Sequence, residues 1–134
     1  MALRHYIAEA LGMLLFVLMD LPRLLACAAI RWQLPRSRRN VRYADGPRSL
    51  CDVYDDASSA PCDSVVLFIH GGAWAFGDKC MHADLCKLMG GSCPVVAASY
   101  ALWPQADIHA AVQDVVEAIG LAATFTHESH ALML

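Results

Sequence analysis

The sequence predicts an α/β fold: an antiparallel hairpin, then parallel strands with crossover helices, all preceded by an apolar amino-terminal helix. Three observations carry that expectation. Val65-Val66-Leu67-Phe68-Ile69 is an unbroken run of β-branched or large apolar residues, the pattern of a strand buried on both faces of a parallel sheet. The run breaks at once into Gly71-Gly72, and a second apolar run at residues 95–99 follows a helical stretch. Another helical stretch comes after it, and the order strand–helix–strand–helix requires right-handed parallel crossovers.

Length and charge narrow the class. The 134 residues suit one domain, and 57% of them are hydrophobic, with the excess mostly before Ile30. A net charge of −3 gives no reason to expect nucleic acid as a partner. Cysteines at 27, 51, 62, 80, 86 and 93 form no C-x-x-C pair, so free thiols in a reducing compartment are the default. Cys80, His82 and Cys86 lie close together but lack the second ligand pair that zinc normally takes, so no metal is expected.

The first element, residues 3–32, is apolar but interrupted, and its longest unbroken run (10–19) is short of the ~20 residues a simple spanning helix needs. On a helix, His5, Glu9, Asp20, Arg23 and Arg31 fall within about 40° of one line, a narrow polar stripe on an apolar cylinder. His5/Glu9 and Asp20/Arg23 are spaced to pair, and Pro22 is placed to kink the helix. Three readings are open. A cleaved signal peptide is suggested by Arg4, a short apolar core and Ala26-Cys27-Ala28, and opposed by Glu9 and the break at Asp20-Leu21-Pro22-Arg23. Total apolar length favours a spanning or inserted anchor, and the stripe favours a helix in the membrane plane or docked on the domain. Membrane association is the expectation, with residues 1–34 as anchor and 35–42 as a basic linker. Arg31, Arg36, Arg38, Arg39 and Arg42 follow the segment, so the domain is expected on the cytosolic face, at the endoplasmic reticulum or Golgi.

The domain proper is expected over residues 43–134. Residues 41–43 and 50–54 alternate like half-exposed strands, and the Asp45-Gly46-Pro47 turn between them makes an antiparallel hairpin. Residues 55–63 read as a loop and 64–69 as the buried strand. A helix is expected over 80–89, stopped by Gly90-Gly91, then the strand at 95–99. The last helix, 107–122, is expected to bury Ile108, Ala111, Val112, Val115, Ala118 and Ile119, while 124–134 matches no pattern.

The chemistry lies in the turn after the first buried strand. Two glycines let the backbone turn sharply and leave its N–H groups unshielded, an arrangement suited to a developing negative charge. His70-Gly71-Gly72-Ala73-Trp74 resembles the HGGxW loop that follows the third strand of α/β-hydrolase-fold esterases. Residues 95–100 and the following Leu102-Trp103-Pro104-Gln105-Ala106 are similar to that family's fourth strand and Tyr-x-x-x-Pro loop. Pro104-Gln105 and the apolar amino-terminal segment most resemble isoprenylcysteine methylesterases, although Ala101 stands where many members carry Arg.

The resemblance covers roughly residues 42–119 and implies roles for the loop. Backbone N–H groups of Gly72 and Ala73 would meet the carbonyl oxygen of an ester in its tetrahedral state. His70 would brace the loop rather than act as base, and Gly71 would belong to the oxyanion loop. Trp74 and Phe76 would either pack the loop against the sheet or line an acyl or prenyl pocket, and Asp78 would cap the next helix or stand as a surface charge. The nucleophile of such enzymes sits in a Gly-x-Ser-x-Gly elbow after the fifth strand, with acid and histidine beyond it. The nearest imitation here, Gly90-Gly91-Ser92-Cys93-Pro94, reads as a helix stop and loop.

The expected function is therefore a carboxylic ester hydrolase without cofactor, represented by its amino-terminal portion. Its substrate would be a small-molecule or lipidated ester, with prenylcysteine methyl esters as the implied class. The alternative is a non-catalytic, membrane-anchored fragment or pseudoenzyme acting through protein interaction. Without a fifth strand, residues 65–69 would form an open edge suited to self-association.

Overall fold

The computed structural model describes residues 2–55 and 63–131, the side chains of 2–6, 8–10, 13, 16–17 and 126–131 aside. Helix α1 (Ala2–Gln33) carries Pro22 within it and leads through a short 3-10 turn at Arg36–Arg38 to strand β1 (Val41–Arg42). Strands β2 (Leu50–Tyr54) and β3 (Val66–Ile69) follow. A 3-10 turn at Lys79–His82 runs into helix α2 (Ala83–Gly90), and strand β4 (Val95–Ala98) and helix α3 (Ile108–Ala131) complete the fold. The four strands form one mixed sheet in the order β1–β2–β4–β3. The hairpin pairs Val41 with Cys51, β2 runs antiparallel to β4, and β3 runs parallel to β4 with Val66 opposite Val95.

The α/β class, the hairpin and the parallel pair are as the sequence predicts, but burial is distributed differently. The strand buried on both faces is β4, whose four residues are all buried, because it lies between β2 and β3. β3 is the last strand of the sheet and only half-buried, with Val66 exposed. β2 is not half-exposed either: Cys51 to Tyr54 are all buried, since neighbours flank it on both sides.

Each sheet face has its own core. Cys27 of α1, Ala83 and Cys86 of α2 pack with Tyr54, Val95 and Ala97 on one face. Ala118 and Ala122 of α3 pack with Cys51, Val53, Val96 and Ala98 on the other. The inward face of α3 is the expected one in part: Ala111, Ala118 and the half-buried Val115 pack on the core as predicted, and Ile108, Val112 and Ile119 do not. Ala111, Ala118 and Ala122 are buried, while Ile108, Val112 and Ile119 are 46–55% exposed. Alanines let the helix approach β4 closely, which bulkier side chains would prevent. The helix also continues to Ala131, where no pattern was expected, and residues 132–134 and most of the 55–63 loop lie outside the described residues.

The carboxyl half of α1 is joined to this core by its polar stripe. Arg23 reaches Asp84 at 3.0 Å and its own neighbour Asp20 at 3.5 Å, and Arg31 reaches Asp52 at 2.6 Å. The His5/Glu9 pair lies outside the described side chains. Among the described residues, the stretch long and apolar enough to cross a membrane is not in α1 but at Ile108–Phe125 of α3.

Candidate active site

The turn that follows β3 is wound around a buried histidine. His70 is 2% exposed and its ring stacks on Tyr100, centroids 4.5 Å apart. The Tyr100 hydroxyl donates to the His70 carbonyl at 2.9 Å. Nδ1 of His70 lies 2.8 Å from the Gly71 carbonyl, which places the proton on Nδ1. Nε2 is left buried without a partner among the described residues. Burial pushes the imidazole pKa down, against the opposing pull of the Gly71 bond. Burial thus favours the uncharged ring, and its stacking and its bond to Gly71 make it a brace for the loop.

Two glycines are required for the winding. Gly72 has φ +130°, and a Cβ there would sit 1.9 Å from the Phe76 carbonyl oxygen. That space is closed by the N–H groups of Ala75 and Phe76, which donate to the Gly72 carbonyl at 3.0 and 3.1 Å. Gly77 has φ +106°, and a Cβ there would meet the Gly71 oxygen at 2.6 Å and His70 Nδ1 at 2.7 Å. Between them Ala73 and Trp74 adopt φ of 50° and 58°, left-handed conformations that cost about 1–2 kcal/mol per residue. The N–H groups of Gly72 and Ala73 donate to nothing among the described residues.

Several side chains hold the loop from outside. Arg48, between β1 and β2, donates from Nη2 to the Gly77 carbonyl (2.8 Å) and from Nε to the Tyr100 carbonyl (2.9 Å). Asp78 caps the following 3-10 turn by accepting from the Cys80 N–H at 3.0 Å, and it accepts from the Ser99 hydroxyl at 3.0 Å. Burial works to raise the Asp78 carboxyl, but those hydrogen bonds and neighbouring Lys79 together hold it below the usual carboxylate value. Asp114 of α3 accepts from the Ser49 hydroxyl at 2.7 Å and the Ala101 N–H at 2.8 Å. The strand end, the hairpin and α3 are thereby fixed against each other around the loop.

Trp74 and Phe76 do not fill the core: they are 58% and 66% exposed. Packing of the loop against the sheet falls instead to His70 and Tyr100, whose stacked rings occupy that position. Trp74 accepts at its carbonyl from the Trp103 N–H (2.8 Å). The two tryptophans, with Ala101, Ala106, Asp107, Ile108 and Ala111, border a largely apolar groove of about 520 Å³. Sequence reasoning missed Arg48 and Asp114, because a lone charge in a turn or on a helix carries no periodic signal.

Residues 66–132 match the family defined by the α/β hydrolase fold, half of the chain, and the chain belongs to that family. It is similar to two proteins of Arabidopsis thaliana described as probable isoprenylcysteine alpha-carbonyl methylesterases. One is 31% identical over 120 residues, covering 89% of this chain and 25% of the relative. The other is 28% identical over 116 residues, covering 86% and 28%. The chain thus spans about a quarter of the length of these relatives. Among solved structures, a candidate thioesterase from Silicibacter sp. superposes with TM-score 0.66 at 25% identity, over 77% of this chain and 39% of that one. Esterase B from Lactobacillus rhamnosis shares the fold, with TM-score 0.56 at 23% identity, over 84% and 39%.

Proposed function

We propose that the chain supplies the oxyanion-binding loop of a carboxylic ester hydrolase acting on prenylcysteine methyl esters. One observation carries the reading: Gly72 and Ala73 present N–H groups with no acceptor among the described residues, at the end of the half-buried strand β3, in a loop held by His70, Tyr100 and Arg48. Fixed donors of this kind stabilise a tetrahedral oxyanion without reorganising, and losing one typically costs 10²–10³-fold in rate. The substrate class is supported by the likeness to the two Arabidopsis methylesterases. The apolar groove beside Trp74 suits an isoprenoid chain. The sequence holds no Gly-x-Ser-x-Gly, so in this reading the nucleophile comes from outside these 134 residues.

The test is a graft. Residues 66–131 replace the aligned segment of the Arabidopsis relative, and methanol release from farnesylcysteine methyl ester is measured. A folded chimera should hydrolyse the ester, and Gly72→Ala within it, whose methyl would displace the Phe76 carbonyl and misdirect the N–H donors, should lower kcat on the order of 100-fold while the chimera still unfolds in one cooperative transition. A folded chimera that is inactive, or one indifferent to Gly72→Ala, would falsify the loop's role.

A further inference from the structure

Arg23, Cys27 and Arg31, through which α1 meets the domain, follow at intervals of four, one stripe along the helix that Asp20 extends by pairing with Arg23. Half a turn away runs a second stripe: Ile7, Leu11, Leu14, Leu18, Leu21, Leu25 and Trp32, each 44–78% exposed. At 1.5 Å per residue, the part from Ile7 to Leu25 is about 27 Å long. Leu15 and Met19, also exposed, widen it. Within that length Asp20 and Arg23, the charged residues whose side chains are described, fall on the opposite side of the helix. A seam this long is more apolar surface than a soluble monomer ordinarily leaves open.

Its carboxyl end shows what covers it. Trp32 is 78% exposed and carries the Arg39 guanidinium 5.2 Å above its ring. Arg36 and Arg42 are exposed as well, and among the described residues Arg36, Arg39 and Arg42 form no ion pair. Hydrocarbon contacts along one face, an amphipathic tryptophan at its end and unneutralised arginines beyond complement an anionic bilayer surface. A second copy of the helix fits less well. Parallel pairing would set these arginines against their equivalents, and antiparallel pairing would set them beside the apolar amino end.

We propose that α1 lies in the plane of an anionic membrane, with the leucine seam in the acyl region and the polar stripe holding the domain on the water side. The helix does not cross, because its second half is tied into the domain by Arg23–Asp84, Arg31–Asp52 and the buried Cys27. This inference stands apart from the ester chemistry.

The experiment is flotation of the full 134-residue chain with sealed phosphatidylcholine vesicles, with and without phosphatidylserine. Binding should be roughly 10- to 100-fold tighter with phosphatidylserine, and Arg36→Glu with Arg39→Glu should abolish that difference. Leu14→Asp with Leu18→Asp should prevent flotation while leaving the melting transition in place, since both face away from the domain. An amino-terminal tag should stay open to protease added outside the vesicles. The proposal is overturned if the wild-type chain stays at the bottom of the gradient, if the Asp variant floats equally well, or if the tag is protected. It is equally overturned if the seam forms a dimer that the Asp variant dissociates and no vesicle is bound.

Discussion

Arg31 on α1 places its Nε 2.6 Å from a carboxylate oxygen of Asp52, a fully buried residue in the middle of β2. Asp52 also accepts from the Asn40 N–H at 2.8 Å, and the Lys79 ammonium, itself 3% exposed, stands 3.9 Å away. A carboxylate taken out of water needs such company, because desolvation costs several kcal/mol per ion. The pair therefore locks the carboxyl end of α1, the hairpin and the turn before α2 into one unit.

Arg31→Met should destabilise the chain by about 3 kcal/mol, toward the low end for breaking a buried pair, because Arg31 keeps a quarter of its side chain in water. Asp52→Leu should cost more, since it strands Lys79 and the Asn40 N–H as well. Urea unfolding followed by tryptophan fluorescence measures both. The reverse order would show that Lys79 and Asn40 find other partners.

Gly77→Ala should distort the loop more than it unsettles the fold. The added methyl would have to displace the Gly71 carbonyl and the His70 ring, at a φ that L residues resist. We expect a loss of about 1–3 kcal/mol and amide shifts concentrated at residues 70–78, read from ¹⁵N–¹H spectra. Unchanged loop amides would mean that the winding is not held by this close approach.

Acid should weaken the fold near the histidine's ordinary titration. Burial holds the His70 imidazole below its ordinary value of 6.5, so the unfolded chain binds the proton first. Its contribution is complete above about pH 6.5 and is lost as pH falls from there toward the folded value. Asp78 and Asp84, both held below the usual carboxylate value, add a further loss starting nearer pH 4. Melting temperature should fall in two stages, and His70→Asn, whose amide nitrogen can take the place of Nδ1, should flatten the first. A wild-type curve level from pH 7 to 5 would show that the ring takes its proton freely in place.

How much of this was legible depended on whether the signal was periodic. The β3–β4 pair could be read from two apolar runs separated by a helical stretch, and the loop from Gly71-Gly72 breaking the first run at once. The inward face of α3 was legible only in part: Ala111 and Ala118 are buried as expected, whereas Val112 and Ile119, which score as better core residues, face away from the sheet and Ala122 takes an inward place. Asp52 hid for the opposite reason: one acid between Cys51 and Val53 imitates a half-exposed strand until Arg31, 21 residues away, arrives to neutralise it.

Strand β3 leads to the last expectation, solubility. Its Val66 N–H donates to the Pro94 carbonyl at 2.9 Å, so alternate residues on the strand face β4. Leu67 and Ile69 then turn their N–H and C=O groups to the free side of the sheet, where no strand pairs with β3 among the described residues. An apolar edge without charge or proline is a template for another chain. We expect the isolated protein to self-associate through it at micromolar concentration. Val66, already 36% exposed, is the position where a charge can oppose that pairing without entering the core. Val66→Lys should raise the soluble fraction and bring the mass from light scattering toward the 14.6 kDa monomer. Because the seam of α1 lies on a different element, Leu14→Asp with Leu18→Asp should not reproduce the effect. A wild-type chain that is monomeric and melts cooperatively would mean the edge is covered from within the chain, and Val66→Lys would then lower solubility instead.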